Sequence, residues 1–284
     1  MLKVLGEGDK YLESCALLLG GFDGFHLGHS ALLNAAKQTG LPVGLMTISG
    51  GKAGSDIFTL AEREVIFDRA GFSFVWEIEF TKAFQNTSAE DFLHGLFEKI
   101  AAKAVFCGED FRFGKGAYGT IELLKKLAPC PVNILPLEKV NGKKVSATEI
   151  KNYLAEGQMR EVNRLLSSDF FLQGIVERGR GVGHTYGFPT LNVSYPKEKF
   201  ALSEGVYGGY AETDAGRYPS VINFGARPTF GVEEKKVEAY LKGFSGDLYE
   251  TTVRIFPTEF LRPIQKFSSE EELKNQLKKD IQKI

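Results

Sequence analysis

Two histidines, His26 and His29, stand three residues apart in a glycine-rich segment, Gly21-Phe22-Asp23-Gly24-Phe25-His26-Leu27-Gly28-His29. An apolar run at residues 15–19 precedes this segment, and residues 30–37, which lack glycine and proline, follow it. A strand, a tight turn and a helix in that order direct free backbone N–H groups and the positive end of a helix dipole at one point, where an anion binds. Two imidazoles there can share one face and donate hydrogen bonds to a phosphate, most effectively where charge develops in a transition state.

The same two histidines fit two other roles. They are candidate metal ligands, but zinc sites take three or four protein ligands, and the other histidines, His94 and His184, are distant in sequence. They are also candidate turn residues without a chemical role. The residues alone leave both alternatives open beside phosphate binding.

A second candidate site lies in the other half of the chain, where Thr190 and Asn192 follow a glycine-rich loop. The loop is Gly179-Arg180-Gly181-Val182-Gly183-His184-Thr185-Tyr186-Gly187-Phe188-Pro189, and its glycines leave backbone N–H groups free to surround a polyphosphate. In an extended segment residues i and i+2 face the same way, so these two side chains can bind Mg²⁺ together with phosphate oxygens and water. The alternative is a surface loop in which Asn and Thr are turn residues.

The composition indicates a two-domain protein without a nucleic-acid or membrane partner. The chain has 284 residues, enough for about two domains. Its 35 basic and 36 acidic residues give a net charge of −1, with no basic stripe, and no apolar run approaches the roughly 18 residues of a membrane span. An acidic N-terminal region argues against a secretory signal. Cys15 and Cys107 stand in apolar runs and are predicted to be reduced core residues, which favours the cytoplasm.

The two halves of the chain differ in their predicted elements. The first half alternates short apolar runs with helical stretches, which predicts a parallel sheet with helices on both faces. Its strands are predicted at residues 16–19, 43–47, 74–78, 104–107 and 132–135, and its helices at 30–37, 59–70, 88–102 and 121–127. A helix at 151–166 follows. Five short β-rich runs broken by glycine and proline then predict an antiparallel barrel or sandwich, at residues 170–176, 205–212, 220–224, 236–241 and 251–255. A last helix at 268–284 is predicted to begin with a capping box of Ser268 and Glu271.

The first motif resembles G-x-F-D-G-x-H-x-G-H, the opening signature of the nucleotidyltransferase superfamily in the form found in bacterial riboflavin biosynthesis proteins. The resemblance implies that His26 and His29 are catalytic and stabilise phosphate charge during adenylyl transfer. It also implies an ATP-binding role for the rest of the turn, namely Gly21, Phe22, Asp23, Gly24 and Gly28.

Two further segments extend this resemblance. Gly108-Glu109-Asp110-Phe111-Arg112-Phe113-Gly114 is similar to the family's G-x-D-F-R-F-G segment, which implies flavin contacts from Asp110, Phe111, Arg112 and Phe113. Ser146-Ala147-Thr148-Glu149-Ile150-Lys151 is similar to its I/V-S-S-T-x-I-R motif, which implies ATP-phosphate contacts from Ser146, Thr148 and Lys151.

The second motif resembles the riboflavin kinase signature, in which P-T-A-N follows a glycine-rich loop. The resemblance implies that ATP phosphates lie against Gly179, Gly181, Gly183 and Gly187, with Mg²⁺ on Thr190 and Asn192. Glu238, in a block similar to the family's V-E-x-H-x-x-x-F-x-G-D-L-Y, is implied to accept the proton of riboflavin's 5′-hydroxyl. Arg262, in a tail that also matches, is implied to contact the flavin.

The chain departs from the family pattern at several positions. Ala147 stands in place of a serine and lacks its donor, and Lys151 stands in place of an arginine and lacks its bidentate fork. Leu191 and Tyr240 stand where the kinase family has alanine and histidine. Residues 48–55, Ile-Ser-Gly-Gly-Lys-Ala-Gly-Ser, stand where the family has a proline-containing loop that helps to hold the substrates.

These resemblances predict a bifunctional enzyme that makes FMN and then FAD from riboflavin and ATP with Mg²⁺, for use by flavoenzymes. The expected architecture is a Rossmann-like α/β nucleotidyltransferase domain at residues 1–166, followed by an antiparallel β-barrel kinase domain with a terminal helix at 167–284. Three alternatives remain. They are a riboflavin kinase whose first domain has lost catalysis, a non-catalytic flavin or nucleotide sensor, and an adenylyltransferase for another phosphorylated substrate.

Overall fold

The computed structural model describes residues 1–50, 55–178, 188–229 and 232–284. The chain forms two compact units, Met1–Glu149 and Ile150–Ile284. None of the helices in these described ranges combines the length and the apolar composition needed to cross a bilayer.

The first unit is built around a six-stranded sheet whose described pairings are all parallel, as predicted. Its strands are β1 (Lys3–Leu5), β2 (Tyr11–Leu19), β3 (Val43–Ser49), β4 (Phe74–Glu79), β5 (Ile100–Gly108) and β6 (Val132–Leu135). Between them run α1 (Leu27–Lys37), α2 (Leu60–Ala70), α3 (Lys82–Gln85), α4 (Ala89–Lys99) and α5 (Ile121–Leu127). A hairpin of β7 (Lys139–Val140) and β8 (Lys143–Lys144) follows β6.

The strand order, β1-β4-β3-β2-β5-β6, determines where a ligand can bind. From β2 the chain adds β3 and β4 on one side and then returns to place β5 on the other side. The loops that leave β2 and β5 therefore diverge, and they open a crevice at the carboxyl ends of these two neighbouring strands. Two segments of this unit begin at that crevice. They are the His26 turn, predicted to bind the nucleotide, and the loop at residues 108–114, predicted to contact the flavin.

The second unit is an antiparallel barrel, one of the two architectures predicted. Its strands are β9 (Leu172–Ile175), β10 (Thr190–Ser194), β11 (Gly205–Thr213), β12 (Gly216–Thr229), β13 (Val232–Leu241) and β14 (Thr252–Arg262). They pair in the order β10-β13-β12-β11-β14-β9. The barrel is nearly closed, because Glu177, just after β9, donates its backbone N–H to the Asn192 carbonyl of β10 at 2.8 Å.

The helix predicted at residues 151–166 is two helices, α6 (Ala147–Ala155) and α7 (Met159–Leu165). Gly157 separates them with a φ of 71°, a left-handed value that an L-residue with a side chain rarely adopts. The same glycine lies close to Tyr207, Phe260 and Ser203, so an added Cβ would meet the Tyr207 hydroxyl at 3.2 Å. The prediction of one helix was therefore wrong because it passed over a glycine that turns the chain.

Two other predicted helix limits were also wrong. The helix predicted to run to residue 102 ends at Lys99, because the β-branched and apolar residues from Ile100 onward enter the buried strand β5. The last helix, α8 (Glu270–Ile281), is capped by Ser269, whose side chain accepts from the Glu272 N–H, and not by Ser268 and Glu271. Glu272 in turn accepts from the backbone N–H of Ser268, the residue before the N-cap, so the cap is shifted by one residue.

Candidate active sites

The turn after β2 begins the helix one turn earlier than predicted, so the two histidines occupy different positions on α1. His26 is the N-cap residue and His29 lies in the first turn. Their rings stack with centroids 3.7 Å apart and planes inclined by 14°. His29 Nδ1 donates a hydrogen bond to the Gly24 carbonyl at 2.8 Å, whereas the buried Nδ1 of His26 has no partner among the described residues. The pair is therefore held in place and retains hydrogen-bonding capacity for a ligand.

Both histidines are neutral at pH 7. The pKa of His26 is lowered to about 4, chiefly by burial and secondly by the nearby Lys144 charge. Burial also takes the pKa of His29 well below its ordinary value, with His26 as the second cause. Because the His29 Nδ1 proton is committed to Gly24, its Nε2 can donate to a phosphate only after the ring takes up a second proton. A bound anion supplies the charge that favours this protonation.

A cavity of about 740 Å³ opens beside this pair, at the crevice that the strand order defines. Most of the predicted first-unit site residues line it, namely Gly21, His26, Gly28, His29, Asp110, Phe111, Arg112, Phe113 and Ser146. Others do not line it. Phe22 is buried behind the turn with its ring 4.3 Å from that of His29, Gly24 accepts from His29, and Thr148 and Lys151 lie on α6.

An aromatic wall on one side of the cavity was not fully predicted. Phe111 and Phe113 stack with centroids 5.5 Å apart, and Phe113 lies 5.5 Å from Phe92. The series continues through Phe84 to Phe80, and all five rings line the cavity. Such a wall can hold a planar ring system by stacking or edge contacts. The sequence signal for Phe92 and Phe84 is weak, because aromatic residues in helices usually belong to a core, and Phe80 directly follows β4 outside any predicted motif.

Asp23, predicted to bind ATP, has a different set of contacts. Its carboxylate accepts from the Ile57 backbone N–H at 2.6 Å and from the Arg63 guanidinium at 3.2 Å. Arg63 is a residue that the sequence interpretation missed. Its side chain is 2% exposed, and it also pairs with Asp56 at 3.1 Å.

Arg63 connects the glycine-rich turn to the end of β3. From α2 it donates to the carbonyls of Phe58 at 2.9 Å and Ile48 at 2.7 Å, and to the Thr47 hydroxyl at 3.4 Å. Thr47 in turn donates to the Gly21 carbonyl at 2.9 Å. The available sequence signal was an arginine among apolar residues at helical spacing, which marks a charge that must be paired inside the fold.

In the barrel, the predicted metal ligands and the predicted base lie on neighbouring strands. Asn192 of β10 is the direct cross-strand partner of Glu238 of β13, and Thr190 lies opposite Tyr240. Glu238 is also opposite Asn223 of β12. Asn192 is 7% exposed, and its Oδ1 is buried without a hydrogen-bond partner among the described residues. The glycines predicted to hold ATP, Gly179, Gly181, Gly183 and Gly187, lie outside the described residues.

The donor set on β10 fits a magnesium ion. A buried amide oxygen without a partner is costly unless a ligand uses it, and a hydroxyl oxygen two residues away along the strand faces the same side. Hard oxygen ligands of this kind suit Mg²⁺, which completes its coordination with phosphate oxygens and water. Thr190 and Asn192 are thus the residues that would hold the ion.

Arg262, predicted to contact a flavin, is paired within the second unit. Its guanidinium donates to Asp280 from Nε at 3.0 Å and from a terminal nitrogen at 2.8 Å. Asp280 is fully buried on α8 and also accepts from Gln276 at 2.9 Å. The pair fixes α8 to the end of β14, a contact that the sequence interpretation did not include.

The two units together define a nucleotide-dependent transferase with a candidate site in each. A family model described as FAD synthetase matches residues 8–149, and one described as riboflavin kinase matches residues 166–284. The bifunctional riboflavin kinase/FMN adenylyltransferase of Buchnera aphidicola from Acyrthosiphon pisum is 34% identical, over 95% of this chain and 92% of that protein. The protein of the same description from Bacillus subtilis is 29% identical, over 94% and 90%.

The chain belongs to the family of bifunctional riboflavin kinase/FMN adenylyltransferases. This confirms the family predicted from the sequence motifs. A crystal structure described as a macrolide-efflux protein from Streptococcus pneumoniae is also similar, with a TM-score of 0.90 and 27% identity over 99% of this chain and 98% of that one. That description concerns the other protein, and the likeness shows that both units share its folds.

Proposed function

We propose that this chain phosphorylates riboflavin to FMN with ATP and then adenylylates FMN to FAD with release of pyrophosphate. Adenylyl transfer is assigned to residues 1–166 and phosphoryl transfer to residues 167–284. The observation that carries the proposal is the presence of both family matches in one chain, at residues 8–149 and 166–284. The cavity that His26, His29 and Ser146 line and the register that places Asn192 opposite Glu238 support it.

In the kinase reaction, Glu238 accepts the proton of riboflavin's 5′-hydroxyl as that oxygen forms a bond to the γ-phosphorus of ATP. The bond from the γ-phosphorus to its bridging oxygen breaks, and ADP leaves. Thr190 and Asn192 would hold Mg²⁺, which would neutralise phosphate charge, and the ATP phosphates are assigned from the sequence to the glycine-rich loop with Gly179, Gly181, Gly183 and Gly187. Phosphoryl transfer requires mainly such positioning, charge neutralisation and a base.

In the adenylyl transfer, a phosphate oxygen of FMN forms a bond to the α-phosphorus of ATP, and the bond to the β-phosphate breaks to release pyrophosphate. His26 and His29 stabilise the charge that develops on the α-phosphate, as preorganised donors do in a site that excludes water. Gly21, Gly28 and Ser146, which line the cavity beside the histidines, hold the phosphates, and residues 110–113 with the aromatic wall hold the flavin ring.

A kinase without adenylyl transfer is the second candidate function. Ala147 lines the cavity where the family has a serine, so one phosphate donor is missing. Residues 48–55 lack the family's proline, and residues 51–54 lie outside the described part of the chain. The intact His26 and His29 pair supports the bifunctional proposal over this candidate, because that pair faces the developing charge.

A time course of the purified protein with riboflavin, ATP and Mg²⁺ tests the proposal, with FMN and FAD resolved by chromatography. FMN should appear first and FAD later, and chelation of Mg²⁺ should stop both. A parallel reaction starts from FMN and ATP. If FMN forms from riboflavin but neither reaction yields FAD, the kinase-only candidate is correct. If neither product forms, the enzyme proposal fails and a flavin or nucleotide sensor takes its place.

The two buried thiols support a cytoplasmic location for this enzyme. Cys15 and Cys107 are free and buried, and burial raises their pKa values to about 12 and about 11, so both stay protonated and unreactive. FMN and FAD made there would pass to flavoenzymes. Fractionation of the producing cells tests the location, and recovery outside the cytoplasm would contradict it.

A further inference from the structure

A lysine lies on the same face of the barrel as the residues assigned to phosphoryl transfer. Lys236 of β13 is the direct cross-strand partner of Ser194 of β10, and Glu238 and Asn192 form the pair two residues further along the same two strands. Residues i and i+2 of a strand face the same way, and so do direct cross-strand partners, so all four side chains share one face. Along β13 the Cα atoms of Lys236 and Glu238 are about 6–7 Å apart, at the usual rise of a strand.

Glu177, just after β9, pairs with this lysine. One oxygen of its carboxylate accepts from Lys236 Nζ at 3.2 Å, and the other accepts from the Ser194 hydroxyl at 2.6 Å. Its backbone N–H donates to the Asn192 carbonyl at 2.8 Å. The Ser194 hydrogen bond, and after it Lys236, holds the pKa of Glu177 below its ordinary value. The carboxylate is therefore ionised at pH 7 and is fixed by two contacts with β10.

We propose that Glu177 is a positioning residue of the kinase site, which holds the Lys236 ammonium group away from Glu238. This rests on the proposed function, in which Glu238 is the base. The long, flexible side chain of a lysine can reach a carboxylate two residues along the same strand face. An ammonium group against Glu238 would stabilise the unprotonated carboxylate and occupy an oxygen that has to accept the hydroxyl proton of riboflavin. The ion pair of Lys236 with Glu177 prevents this.

The exposure of the pair indicates that its main contribution is not to stability. The Lys236 and Glu177 side chains are 26% and 41% exposed, and partly exposed ion pairs contribute little to folding. A pair that only supported the fold would be lost whichever partner is removed. A carboxylate that restrains Lys236 is needed only while the lysine is present. The two roles therefore predict opposite results when both residues are replaced.

Riboflavin kinase turnover in variants of this pair separates the two roles. Glu177→Gln keeps an oxygen for Ser194 but loses the charge that holds Lys236, and it should lower turnover about 10-fold, a part of the 10²–10⁴-fold that a general base contributes. Lys236→Met alone should stay within about 3-fold of wild type, and the double variant Glu177→Gln/Lys236→Met should return to that level, because residues in contact are coupled. Glu212→Gln is the matched control, since it removes the carboxylate of another ion pair, with Arg217, on β11 and β12.

Hydrogen exchange at β10 and β13 shows that the barrel of each variant is folded. Unchanged turnover in Glu177→Gln overturns the proposal, as does a double variant that is as slow as Glu177→Gln, which would limit the pair to support of the fold. If the wild-type chain forms no FMN, the kinase half of the proposed function fails. A crystal structure of Glu177→Gln then decides for the proposal: Lys236 Nζ within ion-pair distance of Glu238 supports it, and Lys236 directed elsewhere overturns it.

Discussion

Asn192 and Glu238 lie directly opposite each other on the antiparallel strands β10 and β13. Cross-strand partners project their side chains to the same face of a sheet, with Cβ atoms about 4.5–5.5 Å apart. An amide oxygen suited to a cation and a carboxylate suited to a proton are thus brought together by strand register alone. In the proposed kinase reaction, this placement would divide phosphoryl transfer between two strands, one for charge neutralisation and one for the base.

Glu238→Gln should lower riboflavin kinase turnover by at least about 100-fold, because the amide keeps the shape of the side chain but cannot accept the hydroxyl proton. Riboflavin binding should stay nearly intact, as measured by quenching of flavin fluorescence. Formation of FAD from added FMN in the same preparation is the internal control, since Glu238 belongs to the other unit. Unchanged kinase turnover would remove Glu238 from the mechanism.

Asn192→Leu should separate function from stability. Leucine has the same branched arrangement of heavy atoms as asparagine and removes a buried oxygen whose missing partner costs about 1–3 kcal/mol. Kinase turnover should be lost, while the free energy of unfolding of the barrel stays unchanged or rises. Hydrogen exchange at β10 and β13 measures that free energy. Asn192→Asp keeps an oxygen ligand and should keep measurable turnover. Loss of stability in Asn192→Leu would show that the amide has a structural partner and is not held ready for a cation.

Features that depend on local pattern could be predicted from the sequence. The His26 turn, the alternating elements and the pairing of Thr190 with Asn192 follow from residue type and spacing within short windows, where strand and helix periodicity fix which side chains share a face. The parallel sheet and the antiparallel unit were predicted for the same reason. The structure confirms both. Glu238 was predicted only from the resemblance of its block to the riboflavin kinase family.

Features that depend on contacts between distant segments could not be predicted. Arg63 and Asp23 are 40 residues apart, and Arg262 and Asp280 are 18 apart, so neither pair leaves a periodic signal. The helix break at Gly157 and the shifted cap at Ser269 are local, but they depend on a left-handed backbone and on which of two adjacent serines is selected. Tertiary packing constrains the first of these, since Gly157 lies against Tyr207.

Arg63→Met should impair adenylyl transfer, although Arg63 itself is not expected to contact a substrate. It leaves the Asp23 and Asp56 carboxylates without their buried cation and removes the contact between α2 and the end of β3. Loss of one partner of a buried ion pair costs about 3–5 kcal/mol, so the first unit should unfold at lower denaturant. Trp76, the one tryptophan of the chain, lies on β4 and reports unfolding of this unit by fluorescence.

The controls for Arg63→Met are the riboflavin kinase activity of the same preparation and two further variants. Riboflavin kinase activity should remain, because it belongs to the second unit. Arg63→Lys keeps the charge but loses the planar fork, and should lie between wild type and Arg63→Met in both stability and FAD formation. Adding Asp23→Asn to Arg63→Met removes one of the two carboxylate charges that Arg63 balanced and should recover part of the lost stability. Full FAD formation by a destabilised Arg63→Met would show that Arg63 supports the fold alone.

The stability of the first unit should fall as the pH is lowered from about 6.5 toward 4. Folding lowers the pKa of His26 from the ordinary 6.5 to about 4, and it also lowers the pKa of His29. In that window the unfolded chain binds protons that the folded chain does not, so acid favours unfolding, by up to about 1.4 kcal/mol per pH unit for each such histidine. Above pH 6.5 both states are neutral at these residues, and they no longer contribute to the change of the free energy of unfolding with pH.

His26→Gln should reduce the slope of the free energy of unfolding against pH, measured by Trp76 fluorescence in denaturant. His94→Gln, at an exposed position on α4, should leave it unchanged. Pyrophosphate should oppose the acid effect, because a bound anion stabilises the protonated rings and raises their pKa. Equal slopes in wild type and His26→Gln would mean that His26 is already solvated in the folded unit, and the anion-binding role of its ring would lose its electrostatic basis.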